Sequence, residues 1–162
     1  MNLIVSADRE WGIGKNGGML FHMPGDLKYF KRMTTGKVVV MGRKTLESLP
    51  GGKPLPNREN IVLTQSQDFA VDGARVCHSE EELLLLLEGC DPDDIFIIGG
   101  AEVYRRMMSR CRRAYITKVD SVGGAERFLP DFDSAPGWRL ASESEPVAEN
   151  GVTYRFCLYE QD

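Results

Sequence analysis

Asp26 is the first residue whose setting suggests chemistry. It stands in MPGDLKYFKRM, and at helical spacing it shares a face with Phe30 and Met33, with Leu27 at the border. A carboxylate on an apolar face is costly without a partner. Two uses fit it: a first-turn acid serving the helix dipole, or a carboxylate that faces an apolar cleft and binds a cationic or amidine-like ligand edge. Two glycine turns suggest a second kind of chemistry. Met41-Gly42-Arg43-Lys44-Thr45 closes the run VVVM and puts two cations and a hydroxyl at a helix start. Cations oppose the helix dipole there, so an anionic ligand would explain them. Gly99-Gly100 follows IFII and precedes AEVYRRMM. Such a pair either makes a tight turn or lets a phosphate approach the backbone. Two phosphate-friendly turns in one sheet point to a dinucleotide held at the carboxyl ends of the strands. After NIVLT comes Thr64-Gln65-Ser66, with no acid to receive a ribose 2′-hydroxyl. With Arg43 nearby, that favours NADPH over NADH.

Other chemistries find little support. His22 reads as a loop residue and His78 as a surface position near the nucleotide; neither has a Ser, Cys or Asp in nucleophilic arrangement. Cys77, Cys90, Cys111 and Cys157 form no CxxC pair and no zinc spacing, so free thiols in a reducing cytoplasm and no metal site are expected. The net charge is −4, which disfavours a polyanion partner. The basic clusters at Lys28, Lys31 and Arg32, and from Arg105 to Arg113, read as solvated helix faces rather than a nucleic-acid patch. The N-terminus acquires charge at Asp8, too early for a secretory signal, and Leu83–Leu87 is too short to cross a bilayer. The expectation is a cytoplasmic protein with neither nucleic-acid nor membrane partners.

These residues need a frame to bring them together. A chain of 162 residues fits one domain spanning 1–162. Strands are expected at Leu3–Ala7, Lys37–Met41, Asn60–Thr64, Ala74–Cys77, Asp94–Ile98, Arg113–Val119, Trp138–Ser142 and Thr153–Tyr159. Short continuous apolar runs such as VVVM and IFII suit a sheet buried on both faces. Helices are expected from Pro24 to about Thr34, after Gly42, from Ser79 to Gly89, and after Gly100. Ser79 and Glu82 form a capping-box pattern. Alternation of this kind predicts an α/β fold: a central, mostly parallel twisted sheet of about eight strands, flanked by about four helices. No helix separates the last two strands, which predicts an antiparallel C-terminal edge. Asp8–Met23 holds four glycines and no period, and is expected to be a structureless functional lid.

The segments GIGKNGG, MPGDLKYFK, VVVMGRKTLESL, PLPNRENIVLT, IFIIGGAEVY, AYITKVD and RFLPDFD, taken in order, resemble the bacterial, chromosomal type of the dihydrofolate reductase family over nearly the whole chain. The resemblance implies NADPH-dependent reduction of dihydrofolate, by hydride transfer to C6 and protonation at N5, in one-carbon metabolism. It gives Asp26 the 2-amino group and N3 of the pteridine, and Thr117 a hydrogen bond to that carboxylate. Phe30 and Leu49 pack on the pteridine and aminobenzoyl rings. Arg58 pairs with the glutamate α-carboxylate, and Val5, Leu27 and Lys31 complete the substrate set. The carbonyls of Ile4 and Ile98 lie near the nicotinamide and near the 4-amino group of antifolates such as trimethoprim or methotrexate. For the cofactor, Ser6 and Ile13 bind the carboxamide, with Gly14 beside them. Gly42, Arg43, Lys44, Thr45, Leu63, Thr64, Gln65 and His78 serve the phosphates and the adenosine end. Gly99, Gly100, Ala101, Glu102, Val103 and Tyr104 form the second phosphate turn, with Gly99–Gly100 matching the family's cis bond.

Four positions depart from the common pattern. Phe21 replaces a Trp whose N–H could hold an active-site water, so its catalytic place is filled by a ring without a donor. Leu20 replaces a Pro in the lid, Ser6 replaces an Ala beside the nicotinamide, and Glu126 replaces a loop Asp that steadies the lid. The resemblance also implies a monomer. An NADPH-dependent pyrimidine reductase of riboflavin synthesis is the rival reading, disfavoured by MPGDLKYFK and Arg58. A non-catalytic nucleotide-binding module is a rival from another class, disfavoured by Asp26 beside the cofactor turns.

Overall fold

Runs of β-branched residues alternate with short amphipathic stretches along the chain, and each kind takes the expected form. The computed structural model describes residues 1–162. In chain order the elements are β1 (Asn2–Ala7), β2 (Gly12–Gly14), α1 (Pro24–Thr34), β3 (Val38–Gly42), α2 (Arg43–Ser48), β4 (Glu59–Leu63), β5 (Ala74–Cys77), α3 (Glu80–Leu86), β6 (Ile95–Gly99), α4 (Ala101–Met107), β7 (Arg113–Val119), β8 (Arg127–Phe128), β9 (Trp138–Glu143), β10 (Val147–Glu149) and β11 (Val152–Gln161). No helix is long and apolar enough to cross a membrane.

The main sheet runs in the order β10-β11-β7-β1-β6-β3-β4-β5, with β9 also paired to β11. The pairs β1–β6, β1–β7, β3–β4, β3–β6 and β4–β5 are parallel. The pairs of β11 with β7, β9 and β10 are antiparallel. The expected α/β architecture with an antiparallel C-terminal edge is therefore observed. Three strands escaped the sequence reading: β10, β2 and β8. Each has three residues or fewer, too few to show a period.

Continuous apolar strands are explained by burial on both faces. Leu3, Val38, Val40, Ile95 and Ile97 point into one core, while Ile4, Val39, Met41, Phe96 and Ile98 point into the other. Adjacent side chains thus enter opposite cores, and each fully buried one contributes roughly 1.5–3 kcal/mol. The four cysteines are unpaired. Burial pushes the thiols of Cys77 and Cys157 up to about 11 and that of Cys111 up to about 12, so they are inert.

Two local expectations change in detail. Ser79 does cap α3, its hydroxyl accepting from Glu82 N at 3.1 Å. The return bond of the capping box goes elsewhere: Glu82 accepts from His78 N, not from Ser79 N. The helix also stops at Leu86, short of Gly89, which follows with φ 83°. The expected structureless segment Asp8–Met23 is partly ordered by pairing, since its GIG forms β2 against β8. Asp8 anchors its start: one carboxylate oxygen accepts from Glu10 N and Gly12 N, the other from Gly123 N.

Candidate active site

Parallel strands β1, β3 and β6 all end on one side of the sheet, where Ser6, Gly42 and Gly99 lie, while Arg58 precedes β4 at the opposite ends of the strands. Pro24 opens α1, where its missing N–H costs nothing. Asp26 lies in the first turn with its side chain inward and is 7% exposed. Thr117, on β7 opposite Ser6 of β1, donates its hydroxyl to Asp26 Oδ1 at 2.6 Å. The other carboxylate oxygen makes no hydrogen bond within the protein. Burial holds the Asp26 carboxyl above the ordinary carboxylate range; the Thr117 bond works against that, and the Glu149 carboxylate adds to it. Asp26 is thus a first-turn acid whose side chain is buried and bonded to Thr117 rather than solvated.

The same helix also carries apolar side chains into the core. Phe30, Met33, Leu49 and Leu55 pack against the core formed by Ile4, Met41 and Ile98. Leu27 is 45% exposed despite its apolar side chain. Lys31 is exposed one turn further along α1, and Val5 is half-buried on β1. Arg58 is half-buried, and its buried Nε has no hydrogen-bond partner. Burial lowers the proton affinity of its guanidinium. An unpartnered buried donor on a cation is a place for an anion. Sequence reasoning missed what holds it. Asn60, 2% exposed, bonds to Leu55 N and to the carbonyls of Leu55 and Arg58, so it fixes the PLPNR segment from inside.

The two glycine turns meet. A Cβ on Gly99 or Gly100 would lie 3.3 or 3.5 Å from Thr45 Oγ1, so the hydroxyl of the first turn sits against the backbone of the second. A Cβ on Gly42 would lie 3.3 Å from Val103. The Gly99–Gly100 peptide is cis, as the resemblance implies. Gly42 and Gly100 are the residues before α2 and α4, and neither helix start has a side-chain cap. No side chain therefore occupies the backbone N–H groups at either helix start. With six and seven residues, α2 and α4 are short, so these amides matter more than any macrodipole.

Arg43 is not the free cation that the sequence suggests. Its guanidinium lies 4.6 Å from the Phe69 ring centre and 3.4 Å from the Glu47 carboxylate. Lys44 and Gln65 are exposed, and Thr64 is half-buried. His78 is half-buried, with Nδ1 2.9 Å from the Thr64 carbonyl, so its ring belongs to the β4–β5 strand ends. Leu63, Ala101, Val103 and Tyr104 are buried, and only their backbones can reach a ligand at the turn. The Tyr104 hydroxyl is committed to the Ile4 carbonyl at 2.9 Å. Glu102 is exposed in the first turn of α4.

The Asp8–Met23 segment, the expected lid, covers the end of β1. Ser6, Ala7, Ile13, Leu20, Phe21 and Val119 line one narrow crevice. Gly14 continues β2, and its carbonyl accepts from Glu126 N at 2.8 Å. The Glu126 carboxylate accepts from Asn16 N at 2.6 Å, so the longer acid still steadies the lid. A Cβ on Gly123 would lie 3.0 Å from Leu20 and 3.1 Å from Phe21. Two of the departures from the family pattern thus rest on a glycine of the facing loop. A surface cavity of about 550 Å³ between Lys53–Pro56 and Val71–Gly73 has no such convergence of functional groups.

Comparison with known proteins finds relatives over nearly the whole chain. A family model described as dihydrofolate reductase matches residues 1–161. The chain is 37% identical to a dihydrofolate reductase of Bacillus subtilis over 163 residues, covering 99% of this chain and 94% of that protein. It is 37% identical to a dihydrofolate reductase of Staphylococcus aureus over 145 residues, covering 90% of this chain and 86% of that one. Among solved structures, the dihydrofolate reductase from Enterococcus faecalis complexed with NADP(H) and RAB-propyl superposes with a TM-score of 0.88 at 31% identity, covering 99% of this chain and 95% of that chain.

Proposed function

The chain belongs to the dihydrofolate reductase family, and from that premise we propose that it reduces 7,8-dihydrofolate to 5,6,7,8-tetrahydrofolate with NADPH, in the cytoplasm, as a monomer that feeds one-carbon metabolism. The observation that carries this reading is the buried Asp26 carboxylate, held at one oxygen by Thr117 and open at the other. A carboxylate so placed suits a pterin, whose 2-amino group and N3 form an amidine-like edge.

Asp26 and Thr117 hold that edge. Phe30, Leu49, Leu27, Ile4, Val5 and Ile98 enclose the rings, and Lys31 borders them. Arg58 takes the glutamate α-carboxylate through its unpartnered Nε. On the cofactor side, Ser6, Ile13 and Gly14 hold the carboxamide end. Gly42–Thr45 and Gly99–Tyr104 supply the phosphate cradles, and Leu63, Thr64, Gln65 and His78 line the adenosine end. Arg43, stacked on Phe69, meets the 2′-phosphate. NADPH, when bound, supplies the hydride that reaches C6. The protein aligns the two rings, and the lid excludes water from them. Asp26 fixes the pterin and favours a proton at N5, which a water delivers. Phe21 contributes apolar area without a donor, so such a water relies on Asp26 and Thr117. Trimethoprim and methotrexate, which offer a similar edge, compete for Asp26.

The test is oxidation of NADPH by the purified protein with and without dihydrofolate. The expected result is a loss of NADPH absorbance that requires dihydrofolate and produces tetrahydrofolate. Turnover of a ribosylaminopyrimidine phosphate instead, its ribosyl group reduced to ribityl, would establish the rival reductase activity of riboflavin synthesis.

A further inference from the structure

The tip of the β10–β11 hairpin reaches across to the chain just before and inside α1. Asn150 donates from its side-chain amide to the His22 carbonyl at 3.0 Å. Glu149 goes one step further, into the first turn of α1. Its Oε1 accepts from Gly25 N at 2.9 Å, and Oε2 lies 3.2 Å from the same nitrogen. The residue before the helix, Met23, supplies no side-chain cap. An acid from another element therefore does the work that a local Ser, Asp or Asn does in most helices.

This contact has its own support. Tyr154 is 1% exposed and donates its hydroxyl to Glu149 Oε1 at 3.0 Å. Burial and the neighbouring carboxylate push that phenol up to about 12, so it stays a donor at physiological pH. A Cβ on residue 25 would lie 2.6 Å from the Tyr154 hydroxyl and 3.3 Å from Glu149 Oε1. Gly25 is the opening through which the pair reaches the helix. The residue after Gly25 is Asp26.

We propose that Glu149, seated by Gly25 and Tyr154, is a positioning residue for Asp26: it pins the helical turn that carries the acid and sets a second negative charge beside it. Around Asp26, Thr117 on β7 donates a hydrogen bond, Tyr29 comes from α1 itself, Tyr154 from β11 and Glu149 from β10. Glu149 is the one carboxylate among them. Two like charges held close together cannot both ionise as easily as one, so Glu149 increases the proton affinity of Asp26. Its use for pterin reduction rests on the function proposed above, but the effect on Asp26 belongs to the free protein.

The experiment is a carboxyl-carbon NMR titration of Asp26 in the free protein, alongside the pH profile of dihydrofolate turnover. Glu149→Gln keeps an oxygen for Gly25 N and Tyr154 and removes the charge. The expected result is that the Asp26 midpoint moves down by about half a pH unit, the scale of a partly screened neighbouring charge, and that the turnover profile moves the same way. Gly25→Ala, which displaces the Tyr154–Glu149 pair, is expected to lower the midpoint as well. An Asp26 midpoint that stays put or rises in Glu149→Gln, with the variant folded, would overturn the proposal and leave Glu149 a brace of the hairpin. Wild-type protein that fails to reduce dihydrofolate, while Glu149→Gln still shows the NMR shift, would instead count against the proposed activity.

Discussion

Asp26 carries two opposing demands at the scale of a single residue. Folding buries it, which disfavours its charge, while ligand binding needs that charge. Asp26→Asn is expected to fold and keep the Thr117 contact, but to lose turnover at neutral pH on the order of 100-fold. The same variant should be more stable than wild type by about 1 kcal/mol, the usual gain when an active-site compromise is removed. The folded protein holds this carboxyl above the ordinary 3.8, so the penalty on wild type is full at a pH above the raised value. The penalty shrinks as pH falls through that value and vanishes below 3.8, where both states are protonated. Urea unfolding at neutral pH and near 3.8 checks this; a stability gap independent of pH would show that charge burial is not the cause. Arg58→Ala should raise the KM for dihydrofolate about tenfold, one charge-assisted bond's worth, and leave the KM for an analogue without the glutamate tail unchanged. Equal losses for both substrates would make Arg58 structural. Asp26 was legible locally, because an acid on an apolar helix face is a conflict that sequence displays. Its partners were not. Thr117 lies 91 positions away and came only with the family resemblance. Glu149, 124 positions from Gly25, gave no signal at all, since a lone Glu in a polar hairpin looks like any other.

At the scale of elements, legibility followed length and burial. VVVM and IFII announce strands buried on both faces, and MPGDLKYFKRM announces its helix through proline, an early acid and late cations. β2 and β8, of three and two residues, exist because the lid and the facing loop pair with each other, which neither segment shows alone. That pairing extends outward through the Glu126 carboxylate to Asn16 N and inward through Gly123 N to Asp8. The lid is therefore a latch with few bonds, and each bond counts. Glu126→Ala is expected to speed proteolytic nicking within residues 15–18 severalfold and to raise the KM for NADPH about threefold, with little change in thermal midpoint, because the bond it removes is exposed. Unchanged nicking would mean that β2–β8 pairing alone closes the lid. The substitution of Glu for the family's Asp thus preserves the tie, since the longer side chain still reaches an amide of the lid.

Over the whole molecule, the sheet divides the labour between a rigid centre and a soft rim. Strands β1, β3 and β6 are bonded on both sides and buried on both faces, and all three stop at the edge where Asp26 and the glycine turns collect. Parallel order makes this inevitable: the strands end together, and the loops that follow them become the site. The lid, by contrast, rests on short β2 and on side-chain ties, and residues 15–19 are exposed. Amide hydrogen exchange should therefore show three tiers. The centres of β1, β3 and β6 should exchange only through global unfolding, β5 and β9 at the sheet edges through smaller openings, and residues 15–19 nearly unprotected. Adding NADPH at about 100 times its Kd should slow the central strands by the full linkage stabilisation of about 2.7 kcal/mol, because global unfolding must release the ligand. The lid and the Gly99–Ala101 turn should gain protection for a different reason: they open locally in the free protein and are held when the cofactor is bound. Lid amides that gain no protection, while the central strands slow as expected, would show that the cofactor binds without closing the lid, and the exclusion of water would then have to come from dihydrofolate itself.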